Sequence, residues 1–300
     1  MRISTALWYQ QSVNSMLDNQ SSLARTQLQL SSGKRMLAPS DDPTGAARVM
    51  ELNDFIAHVE QYQRNTVSAE AKLRREEEVL QNMVNTLQRV RELAVQGNND
   101  SLTPADRRDI ALEVRQHLDG LLSLANEVDA NGEYLFSGYR SGVKPFVDNG
   151  AGGYAYQGDQ GQRLVQIADN RHVAVSDPGD KLFMGIDDAG GGTTDLFSIV
   201  RRFADDLEAN TPSGITLTQL DNAIERLDQG RARIGGRMNA IENQREIHDS
   251  FSLIMEENRS RLEDLDYAEA VARLQQQMLA LQASQQTFMK IEGLSLFNYL

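Results

Sequence analysis

The chain has 300 residues, 40% of them hydrophobic, no cysteine, and 30 Lys and Arg against 43 Asp and Glu for a formal net charge of -13. Nucleic acid and anionic membranes call for clustered positive charge and are disfavoured as main partners, while the lack of cysteine excludes disulfides, thiolate nucleophiles, cysteine zinc sites and iron–sulfur clusters. Residues 1–20 hold no apolar core of a secretory signal, and no stretch approaches 18 uninterrupted apolar residues, so neither a cleaved leader nor a membrane span is expected.

Residues 1–30 read as a helix with Ile3, Leu7, Val13, Leu17, Ala24 and Leu28 as its apolar positions. Asp42 is placed to cap a second helix and Pro43 to open it. The stretch 46–96, free of Gly and Pro, extends that helix to roughly 75 Å at 1.5 Å per residue. Its stripe steps by three and four through Val49, Leu52, Ile56, Val59, Leu73, Leu80, Val84, Leu87 and Ala94, with Gln63, Thr66, Glu70, Glu77 and Arg91 at the intervening seam positions. A repeat averaging 3.5, sustained this long, is a coiled-coil seam, and Gly97 stops it. Thr103 and Pro104 begin a third helix, with Ile110, Val114, Leu118, Leu121, Ala125 and Val128 on one face and Gly132 as its end. The short link after Gly97 predicts an antiparallel helical hairpin.

Thirteen of the 22 glycines then fall between Gly132 and Gly192, which marks a change from helices to strands and loops. Val165-Gln166-Ile167 and Val173-Ala174-Val175 flank a turn over 168–172, Gly153-Tyr154-Ala155-Tyr156 and Lys181-Leu182-Phe183-Met184 read as further short strands, and 187–192 as a flexible loop. Helix resumes near Asp195. A second seam runs from Leu217 through Leu220, Ile224, Leu227, Arg231, Ile234, Met238 and Ile241, and a last stretch presents Val271, Leu274, Met278, Leu281, Gln285 and Phe288. Gly230 and the Gly235-Gly236 pair interrupt this returning helix, either as a kink or as a place of close backbone approach. The reading is a mainly α fold with long antiparallel coiled-coil arms from both termini and a small β-rich insert, divided as 1–132, 133–193 and 194–300. The two ends are expected to pair. Their seams are diluted by polar residues such as Gln10, Gln20, Gln63, Glu70 and Gln285, so residues 3–28 and 271–300 are expected to be poorly ordered in a monomer and to become helical on docking.

No catalytic, cofactor or metal set emerges. The glycine run 150–161 lacks the Lys-Ser/Thr step of a phosphate loop. The four histidines His58, His117, His172 and His248 show no ligand spacing, and the Asp169…His172 pair reads as a plain hairpin. Asp129-Ala130-Asn131-Gly132-Glu133 departs from a calcium loop in its glycine position. The acidic clusters Glu76-Glu77-Glu78, Asp205-Asp206 and Glu263-Asp264 read as solvated or salt-bridged helix faces.

Both ends carry motifs. Near the start stand Leu30-Ser31-Ser32-Gly33-Lys34-Arg35, Pro39-Ser40-Asp41-Asp42-Pro43-Thr44-Gly45-Ala46-Ala47, Arg64-Asn65 and 87–96; near the end stands Arg261-Leu262-Glu263-Asp264-Leu265-Asp266-Tyr267-Ala268-Glu269-Ala270. In this combination and order the chain resembles the bacterial flagellin superfamily. The opening Met1-Arg2-Ile3-Ser4-Thr5, the Pro39–Pro43 motif, Gly132-Glu133-Tyr134-Leu135-Phe136-Ser137-Gly138-Tyr139 and the ending Leu294-Ser295-Leu296-Phe297-Asn298-Tyr299-Leu300 resemble the hook–filament junction members of that superfamily. The resemblance implies a non-enzymatic structural part of the flagellum, exported without a cleaved signal and assembled as a ring joining hook to filament. Its implied partners are further copies of itself, the other junction protein, flagellin, and an export chaperone on the C-terminal helix, with no cofactor, nucleic acid or membrane. The candidate subunit and chaperone interface is then Ile3, Leu7, Val13, Leu17, Leu28, Val271, Leu274, Met278, Leu281, Phe288, Leu294, Leu296 and Phe297. The alternatives are a bulk filament flagellin, or a coiled-coil stalk presenting a glycan-binding or enzymatic insert.

Overall fold

Seven helices and three two-stranded antiparallel hairpins make up the described residues of the computed structural model, 2–150 and 152–293, with side chains described for 7–150 and 152–290. The helices are α1 (Arg2–Ser32), α2 (Pro43–Gly97), α3 (Pro104–Ala125), α4 (Gly179–Phe183), α5 (Leu196–Glu208), α6 (Ile215–Glu263) and α7 (Tyr267–Gly293); the strands are β1 (Phe146–Asp148), β2 (Tyr154–Tyr156), β3 (Leu164–Ala168), β4 (Arg171–Ala174), β5 (Ile186–Asp187) and β6 (Thr193–Thr194). They form two compact units, one of Met1–His58 with Ser250–Leu300 and one of Val59–Asp249. The fold is mainly α with paired terminal helices and a small β-bearing middle, as the composition shift implies.

Capping sets the helix starts. The Asp42 carboxylate accepts the Gly45 N–H at 2.9 Å beside Pro43. Thr103 and Asp106 form a reciprocal capping box, with Pro104 at the first helical position. Asp195 accepts the Ser198 N–H at 2.8 Å at the head of α5. The third helix ends at Ala125, well short of Gly132, because the Asn126 side chain turns back to the Leu122 carbonyl (2.8 Å) and also accepts the Phe146 N–H (2.9 Å), which fastens the helix end to β1.

The second unit holds nearly all of the core. α2 and α3 run antiparallel, joined by Arg89 to Glu113 (2.8 Å) and Arg75 to Glu127 (2.5 Å). α2 and α6 are likewise antiparallel, joined by Glu77 to Arg231 (2.8 Å) and Arg91 to Asp221 (2.5 Å). Most apolar positions of the expected α2 seam are buried, and a second buried stripe (Ala69, Val79, Met83, Val90 and Leu93) gives this part of α2 two packed sides. Arg107 binds the chain between α2 and α3 through the carbonyls of Gly97 (3.2 Å) and Asn99 (3.1 Å) and reaches Asn210 at the end of α5 (2.6 Å).

The β-bearing segments have no separate core. Phe136, Phe146, Phe183 and Phe197 come from the loop after α3, β1, α4 and α5, and their rings pack edge to face at 5.1 Å (Phe136–Phe183) and 5.4 Å (Phe146–Phe183) and tilted at 5.1 Å (Phe146–Phe197). These rings join the same buried cluster as Leu80, Leu121 and Leu227. The boundaries expected at 132 and 193 therefore fall inside the second unit. Each hairpin is too short to bury a face alone and does so on the helices.

Two local readings change. Residues 181–184 are not a strand: Leu182 and Phe183 are both fully buried on one side of α4, whereas a strand would send neighbours to opposite faces. The β3–β4 turn is tighter than five residues; Ala168 pairs with Arg171 across a register shift that skips Ile167, and only Asp169 and Asn170 form the turn between them. Residues 188–192 link β5 to β6 as a hairpin loop. α6 continues unbroken through its glycines. A Cβ at Gly230 would meet Leu182 Cδ2 at 2.6 Å, so this glycine serves close packing, while Gly235 and Gly236 face open space.

Candidate assembly surface

In the first unit α1 and α7 pair antiparallel. Asn19 donates to the Ser284 hydroxyl at 3.1 Å, and the Tyr9 and Phe288 rings lie 5.2 Å apart. The seam on α1 steps by three and four through Tyr9, Ser12, Met16, Asn19, Leu23, Thr26 and Leu30; on α7 it runs Ala270, Leu274, Gln277, Leu281, Ser284 and Phe288. The expected α1 face is thereby corrected. Leu7, Leu17, Ala24 and Leu28 are exposed and only Val13 is partly covered, because the seam passes through small polar residues that an apolar pattern skips. Of the α7 positions, Leu274, Leu281 and Phe288 are half-buried towards α1, while Val271 and Met278 are exposed. Among the described residues α1 and α7 are helices, and each diluted seam finds its complement in the other. The Ile3 side chain and Leu294, Leu296 and Phe297 lie outside the described residues.

The motifs from the two ends meet at the base of this pair. Gly33 turns the chain with φ of +71°, and the Leu265 N–H donates to the Gly33 carbonyl at 2.9 Å. The Arg35 N–H reaches the Glu263 carbonyl (2.7 Å), Lys34 pairs with the Glu263 carboxylate, and the Arg35 guanidinium donates to the Leu262 carbonyl (3.0 Å) and to Asp42 (3.3 Å). Gln29, buried, donates to the Arg35 carbonyl at 2.6 Å. Asp41 closes the loop by accepting the N–H groups of Leu37 (3.0 Å) and Ala38 (3.2 Å) and pairing with Arg25 (2.5 Å). These backbone donors, Leu37 first, together with the Arg25 charge hold the Asp41 carboxyl below its ordinary range against a smaller opposing effect of burial. The sequence offers the two motifs as separate strings; what it does not show is that they are one hydrogen-bonded hub.

The first unit leaves much of its apolar surface uncovered. Leu7, Trp8, Leu17, Leu28, Met50, Phe55, Phe251, Leu253, Ile254, Val271, Met278, Leu279 and Met289 are all exposed, whereas its buried apolar residues among those described are Val49, Ile56 and Ala270. Among the described residues no group of three His, Asp or Glu is placed to hold a metal ion, and no helix is long and apolar enough to cross a membrane. The acidic neighbours divide: Glu77 and Glu78 pair with Arg231 and Arg75 as a charged face would, but Glu76 is buried.

Comparison with known proteins agrees with this geometry. The family model for the bacterial flagellin N-terminal helical region matches residues 3–141, and that for the bacterial flagellin C-terminal helical region matches residues 217–300. The flagellar hook-associated protein 3 of Escherichia coli strain K12 is 29% identical over 99% of this chain and 99% of its own. A flagellin of Bacillus subtilis strain 168 is 26% identical over 95% of this chain and 94% of its own. The crystal structure of flagellar hook-associated protein 3 from Legionella pneumophila superposes with a TM-score of 0.66 at 23% identity, covering 71% of this chain and 98% of that one. Both terminal regions are matched in their proper order, and the motifs that distinguish them are joined in one hub; the chain belongs to the bacterial flagellin superfamily.

Proposed function

We propose that this chain is a structural component of the bacterial flagellum that joins hook to filament, assembling as a ring of copies through its terminal helices. The observation that carries this reading is the uncovered apolar surface of the first unit. Burying apolar area contributes about 25 cal/mol per Å², so exposed large apolar side chains on both helices of a thin pair gain by association. The arms expose such residues on both α1 and α7 while keeping their own seam thin, as suits helices that complete their packing against neighbours. The hook-associated protein 3 match, 29% identical over 99% of both chains against 26% over 95% and 94% for the flagellin, supports the junction over the bulk filament.

In this reading the copies, the second junction protein and the first flagellin subunits meet the arms at Ile3, Leu7, Val13, Leu17, Leu28, Val271, Leu274, Met278, Leu281, Phe288, Leu294, Leu296 and Phe297. A chaperone covers the C-terminal part of that set before export, and the assembled protein sits outside the cell on the flagellum. The chain has no enzymatic role here. The test is immunogold electron microscopy of whole flagella with antibody to this protein. A narrow band at the distal end of the hook is expected. Label along the filament would instead make it a bulk flagellin, the reading that the Bacillus subtilis similarity favours.

A further inference from the structure

Successive residues of a helix point about 100° apart, so Glu76, Glu77 and Glu78 cannot share a face. Glu78 is exposed and meets Arg75 at 2.8 Å, while Glu77 is partly exposed and takes the Arg231 guanidinium on Oε1 at 2.8 Å, with its Oε2 buried. Glu76 turns inward and is 2% exposed. Its Oε1 accepts the Asp177 N–H at 3.0 Å. Asp177, also 2% exposed, accepts Gln162 Nε2–H and Arg237 Nη2–H on its Oδ1, each at 2.7 Å. Glu76 Oε2 and Asp177 Oδ2 are both buried and without a partner.

The other charged groups around Glu76 do not neutralise it. On α2 itself stands Lys72; α6 contributes Arg233 and Arg237, the latter paired with Asp177 through Nη2 and keeping a buried Nη1 without a partner; the segment before β3 contributes Arg163, paired with Glu133 through Nη1 and keeping a buried Nε–H without a partner; and Asp129 adds a negative charge from beyond α3. The cavity between Glu76 and Arg163 measures about 10 Å³, room for at most one water. An ionised Glu76 would therefore be a second buried carboxylate beside Asp177, with one oxygen that no protein group satisfies and at most a single water within reach. We propose that Glu76 holds a proton in the folded chain and donates it to Asp177, so that α2, the 175–178 turn and α6 are joined by a proton-dependent lock. A proton on Glu76 removes one of two neighbouring buried negative charges, supplies the donor that these orphan oxygens lack and leaves the Asp177–Arg237 pair intact.

Burial, reinforced by the Asp177 charge, pushes the Glu76 carboxyl up to about 8 against the pull of Arg237 and Arg233. The folded state thus binds a proton that the unfolded chain, with an ordinary value of 4.5, has released. The stabilisation is complete below the ordinary value and is lost as pH rises through the folded one, with the folding constant falling about tenfold per pH unit between them. The test compares the full chain with Glu76→Gln and Asp177→Asn by hydrogen-exchange protection of α2 residues 69–94, corrected for intrinsic rates, at about pH 5.5 and about pH 8. The parent should lose on the order of a hundredfold in protection relative to Glu76→Gln, whose amide can donate to Asp177 at every pH. Asp177→Asn should move the loss in the parent to lower pH by removing the like charge. Should that variant not fold, infrared absorption decides, through a carboxylic-acid carbonyl band present in the parent at neutral pH and absent in Glu76→Gln. Parallel pH dependence of parent and Glu76→Gln, failure of Glu76→Gln to fold, an unmoved window in Asp177→Asn, or no such band would each overturn the lock.

Discussion

Gly33 stands where the two ends of the chain are tied together. Its φ of +71° lies in the left-handed region, and a Cβ there would sit 2.9 Å from the Tyr267 hydroxyl. Substitution therefore meets two obstacles, backbone strain and a clash with the first residue of α7. Gly33→Ala should destabilise the first unit by about 1–2 kcal/mol. It should be read as faster hydrogen exchange at the Leu265 N–H, which donates to the Gly33 carbonyl, and along α1, with residues 69–94 unchanged. Unchanged protection at the hub would show that the tie is not needed to hold the arms. Gly230 has a different role in the second unit, where its missing side chain makes room for Leu182. Either glycine is visible in the sequence as a break in a polar or helical run. What it makes room for is not, because Gly33 meets a residue more than two hundred positions away.

The helices were legible to within a few residues wherever a cap and a stop enclose a periodic run, as with Asp42, Pro43 and Gly97 around α2. The face of α1 was not. Its seam includes Ser12, Asn19 and Thr26, and the last two hydrogen-bond, Asn19 to Ser284 and Thr26 to the Ser22 carbonyl at 3.1 Å, instead of adding apolar area. Polar seam residues set register at a cost in strength. The arm pair is accordingly thin, with Thr26, Gln29 and Ala270 as its buried residues among those described, and a helix gets most of its stability from packing rather than from propensity. In the monomer, amides of α1 and α7 should exchange far faster than those of residues 69–94, and assembly should close the gap; equal protection in the monomer would refute the thin-seam account. In the same arms Leu281→Asp combined with Phe288→Asp removes the Tyr9–Phe288 contact and puts two charges on the α7 seam. That double variant should lose assembly or chaperone binding and motility while residues 69–94 keep their protection.

At the scale of the whole chain, the change in glycine content marks where strands begin but misleads about independence. Phe146 on β1 and Phe183 on α4 are buried among rings and leucines supplied by helices on both sides in sequence, so the insert shares one core with them. A string of short apolar segments does not reveal whether it closes on itself or on its flanks. The division that matters physically lies elsewhere, near His58 and Ser250, within the two longest helices. The main buried cluster runs from Ala69 to Ile241 in sequence and draws nothing from the arms. A chain cut to residues 59–249 should therefore unfold cooperatively in urea with a midpoint close to that of the second unit in the full chain, since a cooperative domain carries its own core. It should also stay monomeric at concentrations where the full chain associates, because the exposed apolar residues of α1 and α7 are gone. A cut chain that is molten or unfolded would mean that the arms lend the second unit stability, and a cut chain that still forms rings would move the assembly surface off the terminal helices altogether.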